Sequence, residues 1–161
     1  MNNLMKNKRG LVMGVANDKS IGWGIARAIS DQGGELAFTY QGDALKKRVI
    51  PLANSLNSEI VIPCDVSNDE DIVNTFNELK KIWPKIDFLV HAIAFSDKDE
   101  LKGEYIDTSR ENFINTMDIS VYSFTAIARR ASVIMPDGGS LLTLSYYGAE
   151  KVMPHLSLIH I

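Results

Sequence analysis

The sequence contains little of what marks several protein classes. It has a single cysteine, Cys64, so no internal disulfide can form, and its place in an apolar run predicts a buried structural thiol. No stretch approaches the roughly 20 apolar residues of a membrane helix, and the N-terminal string MNNLMKNKR precedes no apolar signal-peptide segment. The net charge of -3 provides no basic surface for nucleic acid. We therefore expect a cytoplasmic protein with neither a membrane nor a nucleic-acid partner.

Familiar metal and nucleophile signatures are missing as well. No cluster of His, Cys and Asp stands at metal-ligand spacing, so no metal site is expected. No Gly-x-Ser-x-Gly nucleophile turn occurs. His91 stands alone in an apolar run, and we interpret it as a hydrogen-bonded core residue rather than a ligand.

What the sequence does contain is an ordinary globular composition, with 161 residues, 45% of them hydrophobic and 23% charged. Short apolar runs alternate with longer amphipathic stretches, which predicts a β-α alternation and a doubly wound, Rossmann-like parallel sheet of the α/β class. The predicted strands are GLVMGV, ELAFTY, EIVIPC, DFLVHAIAF and GSLLTLS. The predicted helices are SIGWGIARAISDQG, DALKKRVIPLANSL, NDEDIVNTFNELKKIW and residues 109–135.

Several residues predict where helices begin and end. The pair Gly33–Gly34 is typical of a helix C-terminus and should end the first helix. Ser67 with Glu70 matches a capping box at the start of the third helix. Pro51 should break the second helix near Ile50.

A long glycine turn, GVANDKSIGWG, follows the first predicted strand. Gly14 suits a tight turn, and the backbone amides around Ser20 and Ile21 would face a pyrophosphate at the helix N-terminus. Gly24 would let the helix pack closely on the strand. The spacing fits a nucleotide site, although glycines here can also serve the turn alone.

The ends of the second and third predicted strands carry polar residues. Gln41 stands where such folds contact the adenosine ribose, in place of the Asp or Glu that would bond the 2′-hydroxyl. Asp65 would accept from the adenine amino group, with Val66 beside the ring, but Asp65 is equally able to cap the following turn.

The residue at position 41 also bears on the choice of cofactor. A neutral amide neither requires nor repels a 2′-phosphate. Because Gln41 has no charge to pair with that phosphate, we favour NADH over NADPH. The next helix carries basic residues that we interpret as a solvated face: Lys46, Lys47 and Arg48.

These motifs together resemble one branch of the short-chain dehydrogenase/reductase superfamily, the NADH-dependent enoyl-acyl carrier protein reductases of bacteria. The resemblance rests on GVANDKSIGWGIA, ELAFTYQ, CDV, DFLVHAIAF and SLLTLSYYGAEKVMP, and it extends from Lys8 to Pro154. The string HAIAF departs mildly from the His-Ser-Ile-Gly-Phe common in that branch, through Ala92 and Ala94.

The resemblance implies hydride transfer from NADH to a trans-2-enoyl thioester, with enoyl-acyl carrier protein as substrate in fatty-acid elongation. It implies a homo-oligomer, a tetramer in the full-length protein. It places the backbone of Ile93 near nicotinamide and that of Ser96 near substrate. It also matches Tyr146 to a tyrosine of the family's catalytic site.

The resemblance fails abruptly after Pro154. The family's hydrogen-bond donor, a tyrosine, would fall at position 156, where Leu156 has no donor. The family's lysine would lie beyond Ile161. We therefore expect an inactive N-terminal fragment, with an incomplete Rossmann-like domain over residues 1–154. Residues 155–161 would be a non-native tail, because LSLIHI matches one reading frame of a sequencing-library adapter.

Other interpretations remain open. The chain as written could bind a dinucleotide without turnover, or it could belong to another short-chain dehydrogenase/reductase. Five strands and four helices also suit a flavodoxin-like signalling domain, although LSYYGAE, Gln41 and Asp65 oppose it. A native apolar tail is the alternative to adapter sequence.

Overall fold

The computed structural model describes residues 3–151, in which five strands alternate with helices. The strands are β1 (Arg9–Met13), β2 (Glu35–Tyr40), β3 (Val61–Pro63), β4 (Phe88–His91) and β5 (Ser140–Thr143). The helices are α1 (Ile21–Asp31), α2 (Gly42–Ser55), α3 (Asp69–Ile82), α4 (Arg110–Met117) and α5 (Ser123–Val133). The predicted α/β class is confirmed.

The sheet has the strand order β3-β2-β1-β4-β5, and every neighbouring pair is parallel. The chain winds outward from β1 to β3 and then returns to place β4 on the other side of β1. This is the Rossmann order, and it differs from the flavodoxin order, so the flavodoxin-like interpretation is wrong. In such sheets ligands bind at the carboxyl ends of the strands where the winding reverses, between β1 and β4.

Both faces of the sheet are covered. In β1 the side chains of Leu11 and Met13 face a core formed with α3 and α5, whereas Val12 faces a core formed with α1 and α2. All three are completely buried. The continuous apolar runs follow from this double cover, because side chains that alternate between the two faces meet helices on both.

The predicted end of α1 is confirmed. Gly33 has φ +85°, a left-handed conformation that glycine adopts without strain. Its N–H donates to the carbonyl of Ser30 at 2.9 Å, and the N–H of Gly34 donates to that of Ile29 at 3.0 Å. These two bonds are the Schellman pattern that closes a helix.

The predicted capping box at the start of α3 is wrong. The N-cap is Asn68, whose side-chain oxygen accepts from the N–H groups of Glu70 and Asp71 at 2.8 and 3.4 Å. The Ser67 hydroxyl donates instead to Asp65. The pattern failed because Asn is as good an N-cap as Ser, and the Ser67 hydroxyl is engaged by Asp65, two residues earlier.

The predicted break at Pro51 is also wrong. Helix α2 continues through Pro51 to Ser55, although an interior proline costs about 3 kcal/mol. On either side of it, Val49 and Ala53 are completely buried in the core beneath α1 and α2. Packing of this face offsets the local cost, which no propensity argument includes.

The helical stretch predicted over residues 109–135 is confirmed over residues 110–133, but it is not one regular α-helix. A π-helical turn, Asp118–Tyr122, separates α4 from α5. Just beyond this turn, the hydroxyl of Ser123 donates to the carbonyl of Ile119 at 2.7 Å. Turns of this kind often occur at functional sites, and this one lies beside the cavity described below.

Strand β5 forms one edge of the sheet. Its residues are exposed throughout, with Leu141 at 39% and Leu142 at 43% of their accessible surface. The side chains of Leu144 and Tyr146, just after the strand, are also exposed. Within the part of the chain that the structure describes, β5 therefore presents an open strand edge with apolar side chains.

Candidate functional site

A cavity of about 360 Å³ opens at the carboxyl ends of β1 to β4, where the winding of the sheet reverses. It brings together residues that lie far apart in the sequence. The predicted site residues in its lining are Gly14, Gln41, Asp65, Val66 and Ile93.

The turn after β1 depends on glycine at two positions. Gly14 has φ +90°, and a Cβ there would come within 2.0 Å of the Ala92 carbonyl oxygen. A Cβ on Gly22 would lie 3.2 Å from the Cβ of Ala92. The prediction that Gly24 allows the close approach is wrong, because a Cβ on Gly24 would meet nothing within 4 Å. Gly22 is therefore the glycine that lets α1 approach the sheet.

Ser20 precedes α1 and organises the turn. Its hydroxyl oxygen accepts from the backbone N–H groups of Ala16 and Asn17, both at 3.0 Å. It therefore forms no side-chain cap on α1. The first amides of a helix, here beginning at Ile21, lack partners within the helix and commonly bind phosphate. The turn contributes Gly14 and Ala16 to the cavity lining, not Ser20 or Ile21.

Gln41 and Asp65 contact each other at the cavity wall. The side-chain N–H of Gln41 donates to Oδ2 of Asp65 at 2.8 Å. Gln41 follows β2 and Asp65 lies shortly after β3, so the parallel pairing of these strands brings the two side chains together. The sequence predicted separate roles for them and did not predict the bond.

The carboxylate of Asp65 is held from a second side. Its Oδ1 accepts from the backbone N–H and the hydroxyl of Ser67, at 3.0 and 2.7 Å. The turn-capping alternative is thus present together with the cavity position. Burial alone would raise the pKa of Asp65, but the hydrogen bonds from Ser67 and Gln41 outweigh it and hold this pKa below its usual value. The carboxylate is ionised at neutral pH.

The segment after β4 forms another wall of the cavity, through Ile93 and Phe95. The Ser120 hydroxyl accepts from the N–H of Phe95 at 3.0 Å and lies 3.1 Å from the carbonyl oxygen of the same residue, to which it donates. Ser120 lies in the π-helical turn, so this irregular turn directly supports the cavity wall.

Ser96 lies beyond this wall and is not part of the cavity lining. Its hydroxyl accepts from that of Thr116 at 3.1 Å and contacts the amide of Asn112. The N–H of Asp97 also donates to Asn112, at 2.9 Å. These bonds connect the segment to α4 and engage the side chain of Ser96. The backbone of Ser96 is therefore the group left for the predicted contact with substrate.

Tyr146 follows β5 at the carboxyl ends of the strands, the side of the sheet on which the cavity opens, and 41% of its surface is exposed. It is not among the residues that line the cavity, and neither is its neighbour Tyr147. Leu156, which occupies the predicted position of the family's hydrogen-bond donor, lies outside the described residues. So do all other residues of the predicted non-native tail.

Sequence reasoning missed several residues of the cavity. Asn115 and Ile119 reach it from α4 and the π-helical turn, one helical turn apart. The helical spacing of Asn115 and Ile119 was the one signal in the sequence. It did not show which face of the helix meets the cavity. Cys64 also lines the cavity, although it is 5% exposed and belongs to the core as predicted. Burial raises the pKa of its thiol, so it remains protonated.

His91 is the core residue that the sequence predicts. It is completely buried, and its Nε2 lies 2.8 Å from the Ser123 hydroxyl while its Nδ1 lies 3.3 Å from that of Thr143. Because the Ser123 hydroxyl donates to Ile119, Nε2 carries the proton and Nδ1 accepts. Burial lowers the pKa of His91, which keeps the ring neutral.

Within residues 3–151, no helix is long and apolar enough to span a membrane. Nor do three or more His, Cys, Asp or Glu residues cluster there as metal ligands.

The strand order and the cavity define a doubly wound α/β protein with a cavity at the reversal of the sheet. The profile of the family described as enoyl-(acyl carrier protein) reductase matches residues 14–161. The chain belongs to this family.

Individual relatives agree. The chain is 62% identical to the enoyl-[acyl-carrier-protein] reductase [NADH] 1 of Rhizobium meliloti over 156 residues. The crystal structure of FabI from Candidatus Liberibacter asiaticus superposes with a TM-score of 0.97 at 50% identity. The reductase of Anaplasma phagocytophilum, solved in complex with NAD, superposes with a TM-score of 0.95 at 55% identity.

The matches cover unequal shares of the proteins compared. They include 97% of this chain and 57% of the Rhizobium meliloti reductase. For the two crystal structures the shares are 99% of this chain and 62% or 61% of the other. The chain thus spans about 60% of the length of these relatives.

Proposed function

We propose that this chain forms the NADH-binding part of an enoyl-acyl carrier protein reductase, which reduces the 2,3 double bond of a trans-2-enoyl thioester in fatty-acid elongation. The observation that carries the proposal is the cavity at the reversal of the sheet. There the Gly14 turn and the Gln41–Asp65 pair stand at the positions where a doubly wound fold contacts a dinucleotide. Membership of the reductase family supports the same conclusion.

Each predicted binding residue has a distinct task in this proposal. The turn at Gly14 and the amides at Ser20 and Ile21 hold the pyrophosphate. At the adenosine end, the ribose is bound by Gln41 and the adenine amino group by Asp65. The site closes around the two ring systems with Val66 beside the adenine and the backbone of Ile93 beside the nicotinamide.

The residues present fit a dinucleotide. Gly14 allows a tight left-handed turn against the Ala92 carbonyl, Asp65 offers an ionised acceptor, and α1 begins without a side-chain cap. When bound, NADH supplies the hydride. Reduction then leaves an enolate whose oxygen needs a hydrogen-bond donor. Tyr146, at the same edge of the sheet, belongs to the substrate side of this site, with the backbone of Ser96.

The remaining parts of the proposal concern the whole protein. Its substrate is carried by acyl carrier protein, it works in the cytoplasm, and it assembles as a homo-oligomer, a tetramer. Residues 1–154 form an incomplete domain, and residues 155–161 are non-native. Mapping sequencing reads across Pro154 tests the last point, because a natural gene that continues through these codons would contradict it.

A second candidate function is dinucleotide binding without turnover by the 161-residue chain itself. The observation that favours it is Leu156, which has no donor at the position of the family's tyrosine. The cavity residues all precede this position, so binding and turnover are separable.

Titration with NADH tests the proposal. Trp23 is 6% exposed and packs in the core against Phe38, so the fluorescence of the nicotinamide is the better reporter of binding. We expect a saturable rise in nicotinamide fluorescence that ADP-ribose competes away and flavin mononucleotide does not. Fluorescence that rises only in proportion to added NADH, up to millimolar concentrations, would contradict a usable site.

A further inference from the structure

The hydrogen bond between Gln41 and Asp65 determines which end of the Gln41 amide faces the cavity. A carboxylate is only an acceptor, so the amide nitrogen must be the atom that meets Asp65, at 2.8 Å. The nitrogen and oxygen of an amide point in different directions from the same carbon. The NH2 group is held against Asp65 through one of its two hydrogens, and the acceptor that Gln41 offers to a ligand is its carbonyl oxygen Oε1.

Asp65 is itself unable to turn away. Its other oxygen accepts from both the N–H and the hydroxyl of Ser67. The N–H is part of the backbone and does not reorient, so it always requires an acceptor at this position. Asp65 therefore accepts from Ser67 on one oxygen and from Gln41 on the other, and its fixed carboxylate sets the orientation of the Gln41 amide.

We propose that Asp65 is a positioning residue that turns the Gln41 carbonyl oxygen toward the cofactor ribose and so makes the site select NADH over NADPH. This proposal rests on the proposed function. A carbonyl oxygen accepts from the 2′-hydroxyl of NADH, as an Asp or Glu does in other dinucleotide folds. The 2′-phosphate of NADPH has no hydrogen to donate at neutral pH, and its negative charge meets Oε1 and the ionised Asp65.

This mechanism differs from the one expected of an unoriented amide. Gln41 alone is indifferent to the phosphate, because rotation of the amide would present a donor. Lys46, a basic side chain on α2, has its ammonium 5.9 Å from the ring centre of Tyr40, a cavity residue. If Lys46 were free to bind the phosphate, it would favour NADPH and oppose the effect of Asp65.

The substitution Asp65→Asn tests the polarity directly. The Ser67 N–H keeps the oxygen of the new amide on its side, which turns the new NH2 group toward Gln41. Gln41 must then accept from it with Oε1 and present its own NH2 group, a donor, to the ribose. Loss of the adenine contact affects NADH and NADPH equally. The ratio of their dissociation constants therefore isolates the effect of the Gln41 orientation on the 2′-group.

The measurement is this ratio, Kd of NADPH over Kd of NADH, obtained by nicotinamide fluorescence with the full 161-residue chain. Both constants come from one preparation, so its folded fraction cancels. We expect wild type to prefer NADH and Asp65→Asn to lower the ratio by about tenfold, the effect of exchanging one acceptor for one donor beside a charged group. The matched control, Asp69→Asn, removes the same charge in the first turn of α3 and should leave the ratio unchanged.

The possible outcomes separate this mechanism from the proposed function. A ratio unchanged in Asp65→Asn would overturn the mechanism while leaving NADH binding in place. An equal fall in the Asp69→Asn control would also overturn it, since charge alone would then explain the selectivity. If Asp65→Asn fails to fold, Ser67→Ala, which loosens Asp65 by one bond, must lower the ratio by a smaller factor. A wild-type chain that binds neither dinucleotide would overturn the proposed function, and this mechanism with it.

Discussion

Gly14 is the residue on which the shape of the cavity most depends. Its left-handed backbone and the Ala92 carbonyl 2.0 Å from a would-be Cβ leave no room for any side chain. We predict that Gly14→Ala destabilises the protein by about 1–3 kcal/mol through backbone strain alone, and abolishes NADH binding. Urea unfolding and NADH titration measure the two effects.

Gly24→Ala is the matched control, because its Cβ would meet nothing within 4 Å. Helix α1 should gain up to about 1 kcal/mol from this change, since alanine is the better helix former. Equal losses of binding in both variants would contradict the account of the turn.

Because His91 is buried, we predict that the free energy of unfolding depends on pH. Burial lowers its pKa in the folded state, whereas in the unfolded chain it takes up a proton near its ordinary value of about 6.5. Below that pH the unfolded state binds more protons, so stability falls as pH decreases from 7 toward 5, by at most about 1.4 kcal/mol per pH unit. Urea midpoints across this range measure the slope. His91→Asn should remove this component, and parallel profiles for the two proteins would show that His91 does not contribute.

At the scale of single elements, the N-terminus of α3 offers the clearest test of which residue caps a helix. Asn68 accepts from two amides in the first turn, so Asn68→Ala should destabilise the protein by about 1 kcal/mol. Ser67→Ala leaves the cap intact and should cost less. Urea unfolding of both variants decides between them, and a larger loss for Ser67→Ala would restore the capping box at Ser67 and Glu70.

The elements show what local patterns can predict. The apolar runs and the Gly33–Gly34 signal depend on nearby residues alone, and both predictions are confirmed. Pro51 inside α2 and the π-helical turn before Ser123 depend on packing and on hydrogen bonds formed in the folded protein. No local pattern contains that information, so the sequence predicted a break at the first and an unbroken helix at the second.

The candidate site likewise contains residues that the sequence predicts and contacts that it does not. Gln41 and Asp65 were predicted individually, because each follows a strand at a position known to meet a dinucleotide. Their mutual bond requires the register of β2 on β3 and was not predictable, whereas the local bonds from Ser67 to Asp65 are the turn cap that the sequence offered as an alternative. Asn115 and Ile119 reach the cavity from a helix whose orientation the sequence left open.

At the scale of the whole molecule, β5 is the feature with the widest consequence. Its open edge and its exposed Leu141 and Leu142 form a template for pairing with another chain. We predict that the 161-residue chain self-associates, and that Leu142→Lys reduces this, because charge on an edge strand opposes pairing. Sedimentation velocity over a range of concentrations measures the effect. The control is Leu4→Lys, at a residue that is 78% exposed away from the sheet. Equal effects of the two substitutions would point to net charge rather than the β5 edge.

The central claim is that this chain supplies the NADH site of an enoyl thioester reductase. Its most direct test is a protein in which residues 1–154 continue into the C-terminal segment of the Rhizobium meliloti relative, with tyrosine at position 156. The measurement is the fall in nicotinamide absorbance with crotonyl thioester, compared between NADH and NADPH. We predict turnover by the extended protein with a higher kcat/KM for NADH, and none above background for the 161-residue chain, since loss of one oxyanion donor alone lowers a rate by about 10²–10³. An extended protein that folds and binds the thioester but oxidises neither cofactor would contradict the claim.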